Sequence, residues 1–300
     1  MTAERIDASA AGEWRLGDRV VRRMGFGSMR LTVRADRERA VEVLRRAVEL
    51  GVDHIDTAAF YFSPGGILDG QPGTVRYATD LIREALGPYR REVLIATKVG
   101  PDPHPDGGWG EAVTAAQLRR QVEENLSRLG VEALDLVNLR IVRPIGPEET
   151  AERFGALAEM RAEGLIRHLG LSNVGVEHVD AAQRVAPVVC VQNAHAVDLR
   201  RHDALLRECG ERGIAFVPFF TIAGPAREAG AGLGTDGAEW RIAAARGVTG
   251  HQVRLAWTLQ QGEHVLVIPG TGDVAHLEEN VAAGALRLTE DELAEVDQRR

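Results

Sequence analysis

The most informative residue in this chain is a lysine. Lys98 stands alone among 36 lysines and arginines taken together. An ammonium is compact and its acidity can be tuned, whereas a guanidinium is planar and permanently charged. A single amine in an arginine background therefore points to a task that arginine cannot perform. Asp56 offers a carboxylate to pair with it. Five residues beyond Asp56 stands Tyr61, one of three tyrosines. A phenol titrates near pH 10, and a neighbouring ammonium is expected to lower that value towards the range of a general acid. Tyr61, Lys98 and Asp56 form a coherent proton-donating set if the fold brings them together.

Strands that end side by side would do so. Short apolar, β-rich runs recur at 23–29, 52–55, 92–97, 134–139, 166–171, 187–192, 213–220 and 264–270, with amphipathic segments between them. In RERAVEVLRRAVELG, Ala40, Val43, Leu44, Ala47 and Val48 share one stripe, and Gly51 reads as the C-cap. Thr114 is expected to cap a helix that ends at Gly130. Eight buried-type strands alternating with helices predict an α/β protein with a parallel sheet, and eight units match a closed (β/α)8 TIM barrel. A doubly wound open sheet is the alternative, but no GxGxxG follows the first strand. In a barrel the strand ends face the mouth, which places Asp56, Lys98, Arg140, Ser172, Asn173, Gln192, Asn193 and Phe219 there. Asn138 is expected to point to the other side of its strand from Arg140 and to be scaffold. Stretches rich in Gly and Pro at 62–74, 100–110 and 223–237 would lie over the same mouth.

Composition narrows the function classes. A length of 300 residues suits one such barrel, with no boundary inside 14–300 and a disordered tail over 1–13. Hydrophobic residues at 44% and charged residues at 27% exclude a disordered or fibrous protein. No apolar run approaches the roughly 20 residues of a membrane span, and the N-terminus lacks the apolar core of a signal peptide. A net charge of −8 without a basic block argues against nucleic-acid or anionic-membrane partners. Cys190 and Cys209 are too few for a disulfide framework and lack zinc spacing, so a reduced, cytoplasmic protein without a metal is expected.

The segment HIDTAAFY (54–61) with IATK (95–98) resembles the aldo-keto reductase pattern of an Asp in a D-T-A-x-x-Y segment, its Tyr, and a strand-end Lys. GLSNV (170–174), VQN (191–193) and IPGT…HLEEN (268–280) follow in the family's order, so the resemblance covers roughly residues 14 to 298. It implies a TIM barrel that binds NADP(H) or NAD(H) in extended form and reduces the carbonyl of a small aldehyde or ketone. Carried over position by position, Tyr61 is the proton donor, Lys98 its neighbour and Asp56 the partner of Lys98. Ser172, Asn173 and Gln192 hold the carboxamide, Phe219 stacks on the nicotinamide, and Gly27 lies against the cofactor. Thr271, His276, Glu279 and Asn280 lie along the adenosine end.

Two positions depart from the pattern. The family's usual His at the end of the fourth strand is Arg140, in DLVNLR. An arginine suits an anionic substrate group or the developing alkoxide, and related barrels with this N-L-R variant imply a small polar aldehyde such as pyridoxal. At the adenosine end, Gly272 and Asp273 stand where a basic residue usually meets the 2′-phosphate, which weakens the expectation of NADPH preference. Two rival readings remain open. One is a nicotinamide-binding regulatory module without turnover, and the other a Schiff-base barrel enzyme using Lys98 as nucleophile.

Overall fold

A computed structural model describes residues 6–68, 70–87, 91–103, 108–222 and 237–298. The apolar runs form one parallel sheet of seven strands: β1 (Phe26–Gly27), β2 (His54–Asp56), β3 (Leu94–Val99), β4 (Leu134–Arg140), β5 (Ile166–Ser172), β6 (Val188–Gln192) and β7 (Ala215–Phe216). Each pairs with its successor in the chain. The eighth run closes the circle. Val267 bridges in parallel to Met24 on one side, and Val265 to Phe216 on the other. The Val267 N–H donates to the Arg23 carbonyl at 2.9 Å, and that of Leu266 to Phe216 at 3.0 Å. The closed barrel expected from the sequence is therefore the fold. Its last member makes single bridges rather than a ladder, and Pro269, which has no N–H, ends it.

The helices α1 (Arg37–Glu49), α2 (Ala78–Leu86), α3 (Ala115–Leu129), α4 (Pro147–Ala162), α5 (Val176–Gln183) and α6 (Asp203–Glu211) separate successive strands. Then come α7 (Ala238–Arg246), α8 (Gly250–Leu259), α9 (Val274–Ala282) and α10 (Glu290–Asp297). Thr114 caps α3 in a reciprocal box with Gln117, and Gly130 ends it at φ +66°, as its sequence signals require. The α1 stripe buries Ala40, Val43, Leu44 and Ala47 against the sheet. Burying Leu44 alone is worth about 2 kcal/mol. Among the described residues no helix is long and apolar enough to cross a membrane.

Side-chain alternation divides each strand. Outward residues such as Ile95, Val137 and Leu139 pack with the helices. Inward residues Leu94, Ala96, Leu136, Cys190, Ala215 and Leu266 form a second cluster, which takes in Leu16 and Val21 from an N-terminal hairpin, Glu13–Leu16 with Arg19–Arg22. That hairpin plugs the end of the barrel where the strands begin, leaving their C-terminal ends to form the mouth.

Two expectations are corrected here. Within the supposed tail, residues 8–11 form a 3₁₀ turn capped by Asp7, with Ala8 fully buried and its N–H on the Leu50 carbonyl at 2.8 Å; residues 1–5 lie outside the described part. Asn138 does not point away from Arg140. The two are separated by two positions in one strand, so a period of two aims both, with Leu136, at the barrel interior. Asn138 is fully buried, and neither of its amide atoms has a hydrogen-bond partner. It occupies the space above Gly170, where a Cβ would come within 2.1 Å of its Oδ1. Of the stretches assigned to the mouth, residues 223–236, 104–107 and Asp69 lie outside the described residues.

Candidate active site

Parallel register brings the lone lysine to its carboxylate. Asp56 ends β2 and Lys98 lies near the end of β3, its neighbour in the sheet. The Lys98 Nζ donates to both Asp56 oxygens, at 2.7 and 2.6 Å, and to the Thr57 carbonyl at 3.1 Å. Both side chains are almost entirely buried, so the pair is held in a low-dielectric setting where breaking it would strand a charge. Gln192, at the end of β6, crosses the barrel and donates its Nε2 to Asp56 Oδ1 at 2.7 Å.

Tyr61 follows from a tight local turn. Its N–H donates to the Ala58 carbonyl at 3.0 Å, and its own carbonyl accepts from Ala78 at 2.9 Å. Ala58, Phe60 and Ala78 pack round it, with the Phe60 ring edge-on at 5.2 Å. The Lys98 ammonium lies 4.7 Å from the centre of the Tyr61 ring. The phenol's acidity differs from the sequence expectation. Burial raises its pKa above the ordinary 10, and Lys98, which acts on it by charge and hydrogen bond, only partly offsets that. Lys98 is itself pushed above the ordinary lysine value: burial opposes its charge, but Asp56 and Tyr61 together outweigh the burial. The site therefore holds a neutral phenol beside a firmly protonated amine.

Arg140 closes the other side. Its Nη1 donates to Ser172 Oγ at 3.1 Å across adjacent strand ends, and its guanidinium lies 5.0 Å from the centre of the Phe219 ring. Asn173 adopts φ +62°, and its Nδ2 donates to the Ile141 carbonyl at 2.8 Å. That side chain fixes the neighbouring strand end. Asn193 latches Val174 by two bonds, at 3.1 and 2.7 Å, and is scaffold.

A cavity of about 510 Å³ runs from Asp56 and Tyr61 to α9. Gly27, Phe219, Thr271, His276, Glu279 and Asn280 line it, whereas Lys98, Arg140, Ser172, Asn173 and Gln192 do not. A Cβ on Gly27 would come within 2.6 Å of the Ile268 carbonyl, so barrel closure by itself demands glycine there. The donor set fits a nicotinamide. Gln192 Oε1 is buried without a hydrogen-bond partner at the strand-end position that the carboxamide amide would need. The spacing of motifs missed Arg30, Arg34 and His251, which line the same cavity. It also misjudged Asp273. That carboxylate caps α9 by accepting from Ala275 and His276, and it is ion-paired with Arg39 of α1, whose Nε donates to the Gly272 carbonyl at 3.2 Å. These contacts, the His276 amide first and then Arg39, hold its carboxyl below the usual carboxylate range. No local signal joins Arg39 to a residue 234 positions away.

The family model described as "Aldo/keto reductase family" matches residues 23–300. The chain belongs to that family. It is accordingly an oxidoreductase of the kind that depends on a nicotinamide cofactor. Pyridoxine 4-dehydrogenase of Escherichia coli is 40% identical over 292 residues, 94% of this chain and 96% of that protein. An uncharacterized oxidoreductase of Schizosaccharomyces pombe is 36% identical, covering 98% of this chain and 91% of that protein. Among solved structures, an aldo-keto reductase from Klebsiella pneumoniae in complex with NADPH superposes with a TM-score of 0.79 at 27% identity, covering 95% of this chain and 94% of that one. The fold and order of elements are thus those of this family's reductases.

Proposed function

We propose that this aldo-keto reductase converts a small polar aldehyde of the pyridoxal type to its alcohol, using NADP(H) or NAD(H), with Tyr61 as the proton donor. The observation that carries the reading is the buried Asp56–Lys98 pair beneath a neutral phenol at one end of an extended cavity. When bound, the nicotinamide supplies hydride to the carbonyl carbon. Tyr61 donates a hydrogen bond to the carbonyl oxygen, and its proton passes to that oxygen as negative charge develops there. The phenolate left behind faces the Lys98 ammonium, which stabilises it and is itself kept charged by Asp56. Solvent then restores the phenol proton, and the alcohol leaves.

Arg140 contributes a fixed positive charge and several donors, which suit the developing alkoxide or an acidic oxygen on the substrate. Ser172, Asn173 and the free Gln192 acceptor would hold the carboxamide, with Phe219 against the ring. Gly27, Thr271, His276, Glu279 and Asn280 would follow the cofactor to its adenosine end. The likeness to pyridoxine 4-dehydrogenase supports the substrate class. The two free cysteines, Cys190 and Cys209, support a reduced, cytoplasmic setting. A net charge of −8 without a basic block supports a small-molecule rather than a nucleic-acid partner. The family match over 23–300 supports residues 14–300 acting as one barrel domain.

The Schiff-base alternative loses ground on the same geometry. A nucleophilic amine must be neutral, and Lys98 is ion-paired and held protonated. The deciding experiment follows cofactor oxidation with a panel of aldehydes including pyridoxal, alongside cofactor binding by fluorescence. Binding with no turnover on any carbonyl would favour the regulatory module and sink the reductase reading.

A further inference from the structure

The 271–280 side of the cavity carries a charge arrangement that no motif contains. Gly272 offers no side chain, and a Cβ there would meet only the Arg30 carbonyl, at an ordinary contact distance of 3.9 Å. Asp273 faces this region, but its charge is answered by Arg39 and by the amides of Ala275 and His276. Arg30 and the exposed Arg34, both in the segment that follows β1, line the same cavity, and the Arg30 carbonyl lies beside Gly272. The other titratable groups on this side are His251, His276 and Glu279. Positive charge therefore comes from the first loop and from α1, and not from a side chain at position 272, where the sequence pattern would look for it.

Resting on the nicotinamide reading above, we infer that Arg30 and Arg34, backed by Arg39, form the site for the 2′-phosphate of NADP(H). The chain then selects that cofactor with arginines of its first loop and α1 rather than with a side chain at position 272. A guanidinium presents paired N–H donors that match phosphate oxygens, which a backbone amide or a lone histidine does not. Arg39 has a second task. By pairing with Asp273 it removes the repulsion that this carboxylate would otherwise exert on a phosphate. Gly272 places no side chain between itself and the loop that carries Arg30 and Arg34.

The test titrates NADPH and NADH separately into the wild type, Arg34→Ala, Arg30→Ala/Arg34→Ala and Arg39→Ala, reading quenching of tryptophan fluorescence. Charge-assisted hydrogen bonds of this kind are worth about tenfold in affinity each. The wild type is expected to hold NADPH at least about tenfold more tightly than NADH, with an advantage that shrinks as salt is raised. Arg34→Ala should weaken NADPH about tenfold and NADH less than twofold, and the double variant should bring the two cofactors level. Arg39→Ala should also lose NADPH selectively, through the freed Asp273. Melting temperatures report whether each variant is folded, and exposed Arg34 is not expected to alter its own. An NADPH-to-NADH ratio that survives in the folded double variant, or equal weakening of both cofactors, overturns the inference. Failure of the wild type to bind either cofactor would overturn the nicotinamide reading beneath it.

Discussion

Removing the amine of Lys98 tests the core of the site. In Lys98→Met the side chain keeps its length and apolar stem, but Asp56 loses its countercharge and retains only the Gln192 donor. A charge 4.7 Å from the phenol ring, screened by an effective dielectric near 20, acts with about 3.5 kcal/mol on a fully formed phenolate. If about half of that charge has developed at the transition state, turnover falls by about 1.8 kcal/mol, or roughly twentyfold. Stranding buried Asp56 adds a stability loss of about 3–5 kcal/mol, which Asp56→Asn in the same chain should largely relieve. The double variant Asp56→Asn/Lys98→Met is therefore the cleaner subject. It should melt near the wild type, bind cofactor normally in a fluorescence titration, and still turn over at least tenfold more slowly in single-turnover reduction. A folded double variant within threefold of the wild-type rate would refute the claim that the ammonium assists proton transfer from Tyr61.

Tyr61→Phe should bind cofactor as the wild type does and lose about 10²–10⁴ in kcat, the usual contribution of a general acid; unaltered turnover would place the donor elsewhere. Because burial raises the Tyr61 pKa, the donor form persists through neutral pH and is lost only above about pH 10. With Arg140 in place of a titrating histidine, kcat/KM for reduction should stay flat between about pH 6 and 9, and an inflection near 6.5 would contradict this. Alcohol oxidation, which needs the phenolate, should rise with pH over the same range. Arg140→Met should lose more kcat/KM with an aldehyde carrying a phenolate or carboxylate than with its neutral isostere, and equal losses would reduce Arg140 to support of the alkoxide.

The barrel and its reactive trio were legible in the sequence because they depend on local order. Buried strands of a parallel sheet read as continuous apolar runs, helix caps sit at their own termini, and the residues at strand ends follow from where each run stops. Lys98 stood out by composition, and its meeting with Asp56 needed only that successive strands lie side by side. Other features depended on how groups far apart in the chain meet. Asn138 shares the inward face of its strand with Arg140 by the local two-residue period, but its unpartnered amide follows from what packs round it. The acidity of Tyr61 turned on the balance between burial and one ammonium, and burial is a property of the packed site rather than of any motif. Asp273 looked repulsive until α1 delivered Arg39 to it across the closure of the barrel. Charge, solvation and hydrogen bonding act through space over a few ångströms, so their sum at a site is decided only when the chain has folded.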